Sequence, residues 1–132
     1  MENVYKHSNT SVSLINYHFV WIPRRRRPVL KNQIAKRLKE LLFEKADELS
    51  LEILALEIQS DHVHLFVKAS PLVPIPQIMF HLKGYSARIL RKEFPELLRL
   101  PSMWTRSYFV STAGNVSSTA IRKYIEAQSK SK

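Results

Sequence analysis

Apolar residues fall along this chain in two rhythms, one of period two and one of period 3.6. Residues 12–22, VSLINYHFVWI, are rich in β-branched and aromatic types and predict a strand that Pro23 ends. Residues 30–49 carry Ile34, Leu38, Leu41, Leu42, Ala46 and Leu49 at helical spacing, which predicts one amphipathic helix. Residues 51–59, LEILALEIQ, and 62–69, HVHLFVKA, are separated only by Ser60-Asp61 and read as a hairpin. Pro71, Pro74 and Pro76 mark a loop. Residues 77–94 then place Ile78, Leu82, Tyr85 and Ile89 on one helical stripe. Pro95 and Pro101 bracket another loop, and residues 104–112, WTRSYFVST, predict a fourth strand. Gly114-Asn115 is a turn or hinge signal, and Ser117 or Ser118 caps a last helix over 118–128.

The resulting order, β-α-β-β-α-β with a terminal helix, predicts an α+β chain. Its expected form is a ferredoxin-like antiparallel sheet with two helices on one face. The other face stays open unless a partner or the last helix covers it. With no repeat and no dividing linker, residues 1–132 are expected to be one domain, with a core at 10–113 and a C-terminal helix at 117–129.

Composition narrows the function. The 132 residues are 45% hydrophobic, enough for one core, and contain only 2 glycines. There is no cysteine, which excludes disulfides, thiolate zinc sites and cysteine nucleophiles. No apolar run is long enough to span a bilayer and residues 1–9 hold no signal core, so a cytoplasmic protein is expected. Lys and Arg number 21 against 11 Asp and Glu, a net charge of +10. That excess favours a polyanionic partner, most simply nucleic acid.

Two histidines give the first chemical signal. Alternate strand residues share a side, so Val63, Leu65, Val67 and Ala69 predict a face packed on the helices. His62, His64, Phe66 and Lys68 take the opposite face. Neutral imidazoles at i and i+2 suit one divalent cation, or an ion and a phosphate. Chance alone gives about 0.2 such pairs in a chain with this histidine content. Two half-exposed strand histidines without a ligand are the plain alternative. His18, in the first strand, lies near this pair or is simply buried. His7 and His81 show no comparable pairing.

Tyr124 is the second signal. In TAIRKYIEAQ it shares a helical face with Gln128, four residues on. A phenol of ordinary pKa near 10 is a nucleophile only when its proton is removed or its oxygen is aligned on a polarised phosphorus. A cation held by histidines supplies that polarisation. The alternative is an amphipathic packing tyrosine.

Four segments together carry a family resemblance: NYHFVWIPRRRRPVL at 16–30, SDHVHLFV at 60–67, LKGYSARIL at 82–90 and SYFVSTAGNVSSTAIRKYIEAQ at 107–128. The chain resembles the single-tyrosine HUH transposases of small, hairpin-ended insertion sequences, the IS200-like TnpA family, over nearly its whole length. The resemblance implies an obligate homodimer that cleaves and rejoins single-stranded DNA at hairpin-bearing element ends. It implies a 5′-phosphotyrosine intermediate at Tyr124, and Mg²⁺ or Mn²⁺ held by His62, His64 and Gln128. Exchanging a phosphodiester for a phosphotyrosine is nearly isoenergetic, so no nucleotide cofactor is expected. By family analogy, Tyr124 completes the partner's site. Candidates for phosphate neutralisation are Arg24, Arg25, Arg26, Arg27, Lys83, Arg88, Arg91, Arg106, Arg122 and Lys123, each with a solvated surface charge as its alternative. A domesticated relative, or a non-catalytic hairpin-binding module of the same fold, is the competing reading.

Overall fold

A computed structural model of the chain describes residues 14–112 and 123–127. Its elements are β1 (Ile15–Trp21), α1 (Asn32–Glu48), β2 (Glu52–Gln59), β3 (His62–Ala69), α2 (Ile75–Glu93) and β4 (Phe109–Ser111). Short 3-10 turns follow β1 at Arg24–Arg26 and α2 at Pro95–Arg99. The sheet runs β2-β3-β1-β4, and every neighbouring pair is antiparallel. This is the expected α+β, ferredoxin-like arrangement.

The period-two rhythm decides which face is buried. Tyr17, Phe19 and Trp21 of β1 join Val63, Leu65, Val67 and Ala69 of β3 in one cluster. Ile34, Leu38, Leu41, Leu42 and Ala46 of α1 and Ile78, Met79, Leu82 and Leu90 of α2 complete it. Both helices therefore cover the same side, and burying these side chains is the main force holding the layers together. The opposite side is not bare, because Val20 and Ile22 there are also fully buried. Among the described residues no helix is long and apolar enough to cross a membrane.

Two elements differ from the sequence reading. Helix α2 opens at Ile75, with Pro76 inside its first turn. A proline there costs no helical hydrogen bond, so Pro76 starts the helix rather than ending a loop. The fourth strand shrinks from 104–112 to Phe109–Ser111. The cause is a half-buried competitor for its backbone. The Lys83 amine, on α2, donates to the carbonyls of Thr105 at 2.7 Å, Arg106 at 3.3 Å and Ser107 at 3.1 Å. Trp104 keeps only an isolated bridge to Pro23, and its indole donates to Ser86 Oγ at 3.1 Å. The segment is thus tied to α2, and past the end of β1 only by Thr105 N donating to Ile22 O at 3.2 Å and Arg24 N donating to Met103 O at 2.9 Å.

Candidate functional site

The strand register assembles the open face rung by rung. Glu57 pairs with His64, His64 with Val20, and Val20 with Phe109. The next rung is Ala55, Phe66, His18 and Ser111. Paired residues point to the same side, so His62, His64, His18, Phe66, Glu57 and Phe109 share one face. His18, Ala55, Glu57, His64 and Phe66 line a shallow hollow of about 240 Å³ on it.

Within that face the imidazoles are held in place. The His62 and His64 ring centroids lie 4.9 Å apart. His62 Nδ1 is 2.8 Å from the Asp61 carboxylate, which also takes the Arg26 guanidinium at 3.1 Å. His64 Nδ1 is 3.3 Å from His18 Nε2, with the two rings 5.4 Å apart. Burial, then the neighbouring His62 and His18, push the His64 imidazolium below its ordinary pKa of 6.5. Burial does the same to His18. Both rings are therefore neutral at physiological pH, the state in which imidazole offers a lone pair.

His18 and Asp61 were not singled out from sequence as members of this group. Alternation with buried Tyr17 and Phe19 puts His18 on the open side, but only the antiparallel β1–β3 pairing brings it to His64. Asp61 directly precedes the pair and read only as a turn residue.

Tyr124 stands over the same face. Its ring is 6.1 Å from Phe109, and its hydroxyl is 3.1 Å from Ser107 Oγ. Burial raises its pKa above the ordinary 10, against the hydrogen bonds of Ser107 and Thr105 that favour the phenolate. Residues 123–127 are helical, within the expected terminal helix. Phe109 lies two strands from His64, a backbone separation of about 10 Å at ordinary strand spacing. The structure thus places Tyr124 and the histidines on one surface without bringing them into contact. Gln128, Arg122, the Gly114-Asn115 hinge and the rest of the 117–129 helix lie outside the described residues.

Basic candidates divide into bonded and exposed groups. Arg24 donates to Ser102 Oγ at 3.0 Å, Arg26 pairs with Asp61, and Arg91 donates to Leu100 O at 3.0 Å. Lys83 is engaged by the three carbonyls already described, and burial lowers its pKa to about 8 although those acceptors favour the charged form. Arg25, Arg27, Arg88, Arg106 and Lys123 are exposed. Among the described residues, no group of three or more histidine or acidic side chains is arranged to hold a metal ion by itself.

Comparison with known proteins agrees with this fold. The family model "Transposase IS200 like" matches residues 11–128. The ISDra2 transposase TnpA of Deinococcus radiodurans is 36% identical over 117 residues, 86% of this chain and 84% of that protein. The transposase for insertion sequence element IS200 of Salmonella typhimurium is 29% identical over 115 residues, 85% of this chain and 75% of that protein. Among solved structures, a candidate transposase from Deinococcus radiodurans superposes with a TM-score of 0.86 at 34% identity, covering 97% of this chain and 98% of that one. A REP-associated tyrosine transposase bound to a REP hairpin shares the fold at a TM-score of 0.54 and 16% identity, over 96% of this chain and 69% of that one. With two histidines and a tyrosine on one sheet face, and a family match across nearly all of its length, the chain belongs to the IS200-like transposase family.

Proposed function

We propose that the chain cleaves and rejoins single-stranded DNA at insertion-sequence ends, with Tyr124 as nucleophile. The observation that carries this reading is the common sheet face of His62, His64 and Tyr124. The substrate is single-stranded DNA bearing a hairpin, and the working unit is a homodimer. The hairpin-bound relative of the same fold and the net charge of +10 both support a folded DNA partner.

A divalent ion fits the donors present. Nδ1 of His62 is engaged by Asp61 and Nδ1 of His64 by His18, so Nε2 of each ring is the atom available as a ligand. Gln128, four residues after Tyr124 in the sequence, is the expected third ligand through its amide oxygen. The ion is Mg²⁺ or Mn²⁺, and when bound it polarises the scissile phosphate and orients attack. Tyr124 Oη forms a bond to phosphorus as the bond to the 3′-oxygen breaks. The phenol proton ends on the released 3′-hydroxyl, and the DNA 5′ end stays on the protein. Attack by a 3′-hydroxyl from another end reverses the step and joins the strands.

The test is a cleavage assay on single-stranded DNA from the chain's own element ends, with and without Mg²⁺. A covalent protein–DNA adduct that needs the ion supports the reading. Metal-independent hairpin binding with no cleavage under any condition favours the non-catalytic module instead.

The resting separation of Tyr124 from the histidines makes the composite site testable. Mixing His62→Ala with Tyr124→Phe protein is expected to restore cleavage, because one heterodimer site then holds an intact pair and an intact tyrosine. No restoration means that each chain uses its own tyrosine.

Asp61 is expected to orient His62 for the ion. Asp61→Ala is expected to weaken Mn²⁺ binding, read by calorimetry, by about 10- to 100-fold. Unchanged affinity removes Asp61 from the site.

A further inference from the structure

A second concave site lies on the far side of the basic run. A groove of about 710 Å³ runs between the turn after β1, the N-terminus of α1 and the segment that follows α2. That volume falls within the ~300–1,000 Å³ of ordinary ligand sites. Arg25, Arg27, Lys31 and Arg99 line it, with Phe94 and one carboxylate, Glu96. All four cations are exposed, and no acidic side chain among the described residues forms a salt bridge to any of them.

The backbone adds to this positive field. Helix α1 has 17 residues, no side-chain cap at its N-terminus and no acidic residue in its first turn. Its N–H groups therefore present uncompensated partial positive charge to the groove. Arg25 and Arg26 adopt positive φ, 60° and 50°, a costly conformation for two consecutive non-glycine residues. That turn sends Arg26 back to Asp61 at 3.1 Å, while Arg25 and Arg27 on either side line the groove. The strain thus separates one basic run into a part that braces the histidine end and a part that faces outward.

We propose that this groove holds one unpaired nucleotide of the DNA strand, with its phosphate among the four cations and its base against Phe94. Charge complementarity selects a phosphate, since four cations face a single carboxylate. The aromatic ring selects a nucleotide over a bare anion, because bases stack on such rings irrespective of sequence. The nucleotide is unpaired because a base stacked within a duplex does not reach a ring inside a groove. Glu96 is an acceptor suited to an exocyclic base amine. The inference rests on the proposed function only in taking DNA as the partner.

The experiment uses the full chain in EDTA, so that binding is read without cleavage. The probe is a fluorescent 20-nucleotide oligothymidylate carrying 4-thiothymidine. Arg27→Ala combined with Arg99→Ala is expected to weaken binding about 10-fold at ~0.1 M salt and to reduce the salt-dependence slope by about 1.4, near 0.7 for each cation. Lys36→Ala combined with Lys39→Ala removes the same charge from the exposed side of α1 and is expected to bind as the unaltered chain does. Irradiation is expected to crosslink the probe to the peptide containing Phe94, and the Arg27/Arg99 variant to lose that crosslink. Matching thermal melting of both variants confirms that folding is unchanged. Equal affinity of the two double variants overturns the proposal, and so do crosslinks that map only to the open sheet face. Displacement of a crosslink-free probe by inorganic phosphate identifies a free-anion site and overturns it as well. Cleavage that fails while the Phe94 crosslink persists counts against the proposed chemistry and leaves the groove standing. Cleavage that succeeds without that crosslink does the reverse.

Discussion

Tyr124→Phe is expected to abolish the covalent protein–DNA adduct, lowering cleavage on the order of 10⁴-fold or more, as loss of a covalent nucleophile does. The substitution removes one oxygen and keeps the ring that packs at 6.1 Å from Phe109. Folding and hairpin binding are therefore expected to survive. Denaturing gels of protein incubated with radiolabelled single-stranded DNA and Mg²⁺ report the adduct directly. An adduct that persists in the variant removes Tyr124 from the role of nucleophile. The raised pKa of this phenol adds a second expectation. At neutral pH the resting hydroxyl is protonated, so activation depends on what it meets at the phosphate and not on prior ionisation.

His64→Ala is expected to have the next largest effect. It deletes one of two imidazoles and opens the hollow lined by His18, Glu57 and Phe66. Mn²⁺ affinity is expected to fall by more than the ~100-fold that outer-shell partners command, and cleavage with it. Calorimetric titration with Mn²⁺ checks the first, and an unchanged affinity removes His64 as a ligand. The lowered pKa of His64 fixes the sign of the pH dependence. The folded chain resists protonation below 6.5, while the unfolded chain takes protons there. Stability from His18 and His64 is therefore complete above pH 6.5 and is lost as pH falls from that value toward the lowered folded pKa values. Ion binding follows the same direction, weakening as pH falls and His64 takes its proton.

Some of this was readable before any coordinates. Strand β3 runs over His62–Ala69, as its alternation predicts, since a strand packed on one side writes its register into every second residue. The strand order and the helical face followed from the sequence of elements. His18 did not, because its position beside His64 depends on an antiparallel pairing 46 residues apart, and local rhythm carries no record of it. The short β4 escaped for a related reason. WTRSYFVST has strand composition, yet the half-buried Lys83 amine takes the carbonyls of Thr105, Arg106 and Ser107. The run of four arginines looked uniform in sequence. It divides only because the backbone at Arg25 and Arg26 turns left-handed.

The rung that links His64 through Val20 to Phe109 has a consequence for the host of such a protein. In the arrangement described, a DNA strand that settles against the imidazoles finds no phenol beside it. Under the proposed chemistry, unwanted cleavage of host DNA is then limited by how often Tyr124 reaches the histidines, not by how often DNA is touched. Val20, fully buried on the rung between His64 and Phe109, sets that spacing with a single apolar side chain.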